Sequence, residues 1–102
     1  MRTAIPRLKE LAREEIEKGA KLVSVYRVSK RTLMTRGMLP DLRISVITVP
    51  YLVCVFRGEE LRIYFCDELG RAVAGDNLRG EEVLDFVKKV SSCRLLFSLQ
   101  KG

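Results

Sequence analysis

The chain of 102 residues contains no histidine and no tryptophan, and it has a single asparagine and a single glutamine. Without histidine the commonest general base is missing, and no serine or cysteine has an evident activating partner. Neither of the glycine-rich phosphate loops, G-x-x-x-x-G-K-[ST] or G-x-G-x-x-G, occurs. We therefore expect a binding protein that is not an enzyme and needs no cofactor. A low content of asparagine and glutamine combined with 31% charged residues is typical of heat-adapted proteins.

Cysteine is also scarce, with three residues at Cys54, Cys66 and Cys93. The number is odd, no C-x-x-C occurs, and no histidine can complete a zinc site, so we expect no metal. Free cysteines usually behave as small buried hydrophobic residues. We expect that here, with a disulfide as the alternative if the source is a hyperthermophile.

Long hydrophobic runs are missing as well. No apolar stretch approaches the roughly 20 residues that cross a bilayer, and the first residues lack the apolar segment of a signal peptide. The length suits a single domain spanning residues 1–102. We expect a soluble, cytoplasmic protein.

Hydrophobic periodicity predicts an α+β fold, in which an antiparallel sheet of four to five strands is combined with an N-terminal and a C-terminal helix. The apolar tail Leu95–Leu99 is expected to form either a last strand or a dimer contact. This tail and the small core available to 102 residues predict a homodimer. We predict helices at residues 6–18 and 81–91 and strands at 21–28, 42–47, 51–57 and 60–66, with a short fifth strand at 71–74.

The hairpin at residues 51–66 is the most informative stretch. A two-residue turn at Gly58-Glu59, with glycine first as a type II′ turn prefers, places Arg57 opposite Glu60. The alternation of residues along the strands then defines two faces. One face is wholly apolar and is expected to be the core. It consists of Leu52, Cys54, Phe56, Leu61, Ile63 and Phe65.

The other face of the hairpin combines Tyr51, Arg57, Arg62 and Tyr64 with aliphatic residues between them. A three-residue loop before residue 51 would add Arg43. Three interpretations remain open: tyrosines stack bases while arginines contact phosphates; the face is a protein interface; or it is an inner layer covered by the tail or by the second helix.

A basic loop is predicted between residues 27 and 43. It contains five basic residues against one acidic residue, a net charge of +4 out of the chain's +6, and clustered charge favours polyanion binding. Its apolar residues, including Leu33, Met34 and Met38, either pack on the domain or close over a ligand. The basic residues are Arg27, Lys30, Arg31, Arg36 and Arg43.

Together these features predict a nucleic-acid-binding protein with little sequence specificity. We expect it to bind single-stranded DNA or RNA more tightly than a duplex. Its predicted contact residues are Arg27, Lys30, Arg31, Arg36, Arg43, Tyr51, Arg57, Arg62 and Tyr64. No helix-turn-helix, zinc-finger or basic-zipper pattern is present. The alternative is a protein-interaction or oligomerisation subunit that uses the same face.

The chain resembles the ThermoDBP-type single-stranded DNA-binding proteins of hyperthermophilic archaea in its order of elements and its Tyr/Arg face. The residues that carry the resemblance are Arg43, Tyr51, Val53, Val55, Arg57, Arg62 and Tyr64, with the Lys30-Arg31 loop. The resemblance covers the plan of most of the chain and includes no diagnostic motif. It implies an apolar cleft with basic edges on a curved sheet. The long C-terminal zipper helix of some members is absent from this sequence.

A remoter alternative is a degenerate PD-(D/E)xK nuclease, built on Asp41, Glu60 and Arg62 with Glu14 on the preceding helix. In that pattern an arginine stands where the family has lysine, and a permanently charged guanidinium cannot exchange a proton. Glu60 is also expected to serve as the cross-strand partner of Arg57.

Overall fold

The computed structural model describes residues 4–38 and 49–102. The predicted strand at 42–47, together with Arg43 and Asp41, lies outside these residues. The described part has the predicted α+β fold. Its elements in chain order are α1 (Ala4–Glu17), β1 (Leu22–Arg27), α2 (Lys30–Thr35), β2 (Tyr51–Arg57), β3 (Glu60–Cys66), β4 (Ala72–Arg79), α3 (Glu81–Val90) and β5 (Arg94–Gln100).

The five strands form one sheet in the order β4-β3-β2-β1-β5, and every neighbouring pair is antiparallel. The apolar tail therefore forms strand β5, which was one of the two predicted alternatives. It lies beside β1, the first strand of the chain. The fifth strand predicted at 71–74 is longer, because β4 continues to Arg79.

The hairpin of β2 and β3 has the predicted register, in which Arg57 is paired with Glu60 and Val53 with Tyr64. Gly58 has φ +55°, a conformation that glycine adopts without strain. The predicted side-chain partner of Glu60 was wrong. Its carboxylate binds the guanidinium of Arg79 on β4 at 2.7 Å, while Arg57 turns to a different element.

Both faces of the sheet are buried at its central strands β1 and β2. The predicted core face packs against α2 and α3, with Leu33 and Phe86 contributing to the same apolar cluster. The other face, which we call the tyrosine face, packs against Leu8 and Ala12 of α1. It comprises Val23, Val25 and Arg27 of β1, Tyr51, Val53, Val55 and Arg57 of β2, and Glu60, Arg62, Tyr64 and Cys66 of β3.

The interpretation of the tyrosine face as a covered inner layer is therefore correct for the middle of that face. The covering element is the first helix, whereas the sequence had suggested the tail or the second predicted helix. A helix and a sheet each bury one apolar side, and the near-continuous apolar character of β1 and β2 reflects burial on both faces.

The short helix α2 was not predicted, because residues 30–35 were expected to be loop. Ser29 caps it by accepting a hydrogen bond from the backbone N–H of Thr32 at 3.1 Å. Leu33 and Met38 are buried, which confirms for these two residues that the apolar side chains pack on the domain. Met34 is 55% exposed.

The long helices lie within two residues of their predicted bounds. Glu81 and Glu82 in the first turn of α3, with Lys88 and Lys89 in its last, match the helix dipole. Val87 was predicted to be buried, but it is 36% exposed. Within residues 4–38 and 49–102, no helix is long and apolar enough to span a membrane.

All three cysteines are free, so the disulfide alternative is not realised. Cys54 and Cys66 are buried, as predicted, and Cys93 is half-buried. Burial raises the pKa of the Cys54 and Cys66 thiols from 9.0 to about 12 in each case. Both thiols are therefore neutral packing groups at physiological pH.

Candidate functional site

The tyrosine face is not a continuous open platform. Val53 and Val55 in its middle are fully buried under α1, whereas Tyr51 and Tyr64 are half-buried. A ligand can therefore reach this face only at the margins of α1. Two places there combine a tyrosine with an arginine.

Under α1, the carboxylate of Glu15 organises one part of the face. Glu15 is 4% exposed and accepts hydrogen bonds from Arg57 Nη2 at 2.9 Å and from the Tyr64 hydroxyl at 3.2 Å. Burial raises the pKa of Tyr64, and the negative charge of Glu15 adds to that rise. Two of the predicted nucleic-acid contacts, Arg57 and Tyr64, are thus engaged in holding α1 on the sheet.

Glu15 was missed in the sequence, although a signal for its burial was present. It continues the spacing of Ala4, Leu8 and Ala12, the buried residues of α1, and so lies on the same side of the helix. A carboxylate on an apolar stripe indicates a buried cationic partner. That partner lies 42 residues further along the chain and is not identifiable without the helix placement.

The first tyrosine–arginine pair is Tyr64 with Arg62. The Arg62 guanidinium carbon lies 5.4 Å from the centroid of the Tyr64 ring, a cation–π arrangement. Gly75 of β4 is paired with Tyr64, and a Cβ at that position would approach the Ile63 carbonyl oxygen to 2.9 Å and Tyr64 Cδ1 to 3.4 Å. The glycine thus allows β4 to lie close to the Ile63 carbonyl oxygen, with the Tyr64 ring beside it. A cavity of about 500 Å³ here is lined by Arg62, Tyr64, Asn77 and residues 72–76.

The second pair is Tyr51 with Arg27. The Arg27 guanidinium carbon lies 5.3 Å from the Tyr51 ring centroid, and its Nη1 donates a hydrogen bond to the Tyr51 hydroxyl at 3.3 Å. Arg27 is paired with Tyr51 across β1 and β2 and with Arg94 across β1 and β5. Paired residues project to the same face, so the three side chains meet at one end of the sheet. They border a cavity of about 440 Å³.

Arg94 was not among the predicted contacts. Its position follows from the pairing of β5 with β1, which joins segments far apart in the chain. The other residues that line this cavity are Ala4 and Ile5 from the first turn of α1, Glu68 from the turn after β3, and Leu96 from β5.

The predicted basic loop adds charge at the same end of the sheet, although its helix α2 packs on the face opposite to Tyr51. Helix α2 begins at Lys30, three residues after β1 ends at Arg27, and Arg31 and Arg36 are exposed. Burial raises the pKa of the Cys93 thiol, and the nearby charge of Arg36 opposes that rise. We call Arg27, Arg31, Arg36, Tyr51 and Arg94 the basic end.

Only part of the predicted nuclease pattern lies within the described residues. Glu60 binds Arg79, Glu14 is exposed on α1, and Asp41 lies outside the described residues. In the described part of the chain, no three Cys, Asp or Glu side chains are placed to hold a metal ion.

Comparison of the chain with protein-family models, with curated proteins and with solved structures finds no significant match. The side-chain geometry is therefore the observation that bears on function.

Proposed function

We propose that this chain is a nucleic-acid-binding protein that prefers single strands to duplexes and binds them through the basic end. The observation that carries the proposal is the placement of Arg27, Tyr51 and Arg94 on three adjacent strands, on one face, around one cavity. The net charge of +6 supports it, since it attracts polyanions from a distance.

The chemistry of these side chains suits a polynucleotide. A guanidinium group matches the geometry of a phosphate and donates two hydrogen bonds to it. A tyrosine ring stacks on any base, because every base has a π-face. Contacts of these two kinds carry little base-edge information, which supports binding with little sequence specificity.

A single strand fits this site better than a duplex. Tyr51 is half-buried in a concave site, where an unpaired base can reach it while a base stacked inside a duplex cannot. The exposed side of α1 carries Glu10, Glu14 and Glu17 among its basic residues, so it lacks the uniform positive charge of a helix that enters a groove.

The structure changes which predicted residues we propose as contacts. Tyr51, Arg27, Arg31 and Arg36 stay in the proposal and Arg94 joins them, while Arg57 and Tyr64 support the position of α1. Arg62 borders the second cavity and is a secondary contact. The remaining predicted contacts are Lys30, which starts α2 at the basic end, and Arg43, outside the described residues.

The proposed function is the one implied by the resemblance to the ThermoDBP-type proteins, with one difference of geometry. In this chain α1 covers the middle of the face that would form the cleft, so the proposed site lies at its margin. We propose no catalytic step and no cofactor for this protein. We also propose that it acts in the cytoplasm.

The test is a fluorescence anisotropy titration with a labelled single-stranded oligonucleotide and a duplex of the same length, each at two salt concentrations. We expect tighter binding of the single strand and an affinity that falls steeply with salt. No binding at low salt, or equal affinity for the duplex, refutes the proposal.

A specific observation favours a second property, homodimerisation through β5. This strand has a neighbour, β1, on one side only among the described strands, residues 95–99 carry no charge, and Leu95 is 52% exposed. An apolar edge strand of this kind readily pairs with another strand. Light scattering should give twice the 11.6 kDa chain mass, and the monomer mass over a wide concentration range excludes the dimer.

A further inference from the structure

The cavity at the basic end is closed toward the middle of the sheet. Along the strands from Arg27 and Tyr51, the next residues on the tyrosine face are Val25 and Val53, and both are fully buried beneath α1. Ile5 of α1 lines the cavity as well. A polynucleotide that enters here cannot continue along the sheet.

The charges in this cavity suit a compact anion with more than one negative charge. Arg27 and Arg94 are directly paired residues on antiparallel strands, a position in which like charges normally destabilise a sheet. An anion bound between the two guanidinium groups removes that repulsion. Glu68 is the one acidic residue among those lining the cavity, so two positive charges and one negative charge leave a net charge of +1.

We propose that this cavity binds the terminal phosphate monoester of a nucleic-acid strand. Arg27 and Arg94 donate hydrogen bonds to the phosphate oxygens, and the terminal nucleotide lies against Tyr51 and the apolar wall of Ile5 and Leu96. The inference rests on the proposed function and specifies which part of the nucleic acid the site recognises.

A terminal phosphate differs from an internal one in two ways that this cavity can use. A monoester carries a charge of about −1.5 to −2 at pH 7, whereas each internal phosphate carries a single charge. The monoester is also bonded to the chain on one side only, so it fits a cavity that is closed at its inner end. Both differences favour the terminal group beside two arginines.

The experiment compares three single-stranded oligonucleotides of one sequence that carry a 5′-phosphate, a 3′-phosphate or hydroxyl groups at both ends. Each carries its fluorophore on an internal base, so that both ends stay free. We expect at least one phosphorylated strand to bind about tenfold more tightly than the hydroxyl strand or better, the size of one charge-assisted hydrogen bond. Equal affinity for all three strands overturns the inference.

Variants of the full chain locate the effect. Arg27→Gln and Arg94→Gln should each abolish most of the preference for the phosphorylated strand. The control is Arg13→Gln on the exposed side of α1, which removes the same charge and should keep the preference. A preference that persists in both cavity variants, or that disappears in the control, overturns the inference.

A competition measurement on the unchanged protein needs no variant to fold. A nucleoside monophosphate should displace the phosphorylated strand at a concentration at least about tenfold lower than the unphosphorylated nucleoside, by the same reasoning. Equal displacement by the two compounds overturns the inference.

Failure of this inference is distinguishable from failure of the proposed function. If all three strands bind equally and with a steep salt dependence, the nucleic-acid-binding function stands and the terminal-phosphate site is refuted. If no strand binds at low salt, both are refuted.

Discussion

Glu15 and Arg57 form an ion pair beneath α1, with 2.9 Å between Oε1 and Nη2. The Glu15 carboxylate also accepts a hydrogen bond from the Tyr64 hydroxyl. A single buried charge therefore connects α1 to both strands of the β2–β3 hairpin. Hydrogen bonds to a buried charge are strong, and removal of one partner leaves the others without compensation.

We predict that Glu15→Ala destabilises the fold by about 2 kcal/mol, below the roughly 3–5 kcal/mol of a fully buried pair because the Arg57 side chain is 34% exposed. Denaturant unfolding measures the change. The neighbouring variant Glu14→Ala, at an exposed position, should stay within about 0.5 kcal/mol of the original protein. Equal effects of the two variants contradict the proposed role of Glu15.

The two tyrosines should separate binding from stability. We predict that Tyr51→Ala weakens single-strand binding by about 1–3 kcal/mol per stacked base, with an unchanged dependence on salt because the ring carries no charge. Tyr64→Ala should lower the free energy of unfolding by about 1–3 kcal/mol, since it removes a half-buried ring and its bond to Glu15. Its effect on affinity should be smaller than that of Tyr51→Ala. Anisotropy titrations and denaturant unfolding of both variants test this division.

The arginines of the basic end should act on the salt dependence. For each of Arg27→Gln, Arg31→Gln and Arg36→Gln, the slope of log affinity against log salt should fall by about 0.7, the value for one phosphate contact on a single strand. Arg13→Gln is the matched control and should leave the slope unchanged. A uniform small decrease in all four variants would instead indicate that net charge alone attracts the ligand.

The cysteines provide a test of the packing on both faces. Burial keeps Cys54 and Cys66 protonated, with pKa values of about 12 for both, and only the thiolate form attacks thiol reagents. At pH 8 we expect only Cys93, which is half-buried, to react in the folded protein, and all three thiols to react after denaturation. Three reactive thiols in the folded state contradict the described packing.

The same raised pKa values predict how stability depends on alkaline pH. Between the unfolded value of 9.0 and the folded value of about 12, the unfolded chain holds fewer protons than the folded one at Cys54 and Cys66. The contribution of these thiols is therefore complete below pH 9 and is lost as the pH rises toward 12. Unfolding free energies measured between pH 8 and 11 should fall more steeply for the original protein than for the Cys54→Ala variant.

The parts of the fold that depend on local pattern were predictable. The register of β2 and β3 followed from Gly58 and the alternation on either side of it, because a two-residue turn fixes every pair. The bounds of α1 and α3 followed from periodicity. The class of fold followed from the order of these elements.

The parts that depend on distant contacts were not predictable. The side of the sheet on which α1 lies decides whether Tyr64 is exposed or bonded to Glu15, and no local pattern encodes that choice. The pairing of Arg94 with Arg27 depends on β5 lying beside β1, across more than sixty residues of chain. For α2, the capping serine was present in the sequence, but six residues are too few for a clear period.

The position of β5 beside β1 also has a consequence for how the protein folds during synthesis. β1 is made early, yet it receives one of its two neighbours only after residues 94–100 have left the ribosome. Until then Val23 and Val25 lack the packing of Phe97 and Leu99, and one edge of β1 is open to other nascent chains. Proteins that stop before residue 94 should therefore aggregate, and a chaperone that shields exposed strands would bind the growing chain at β1.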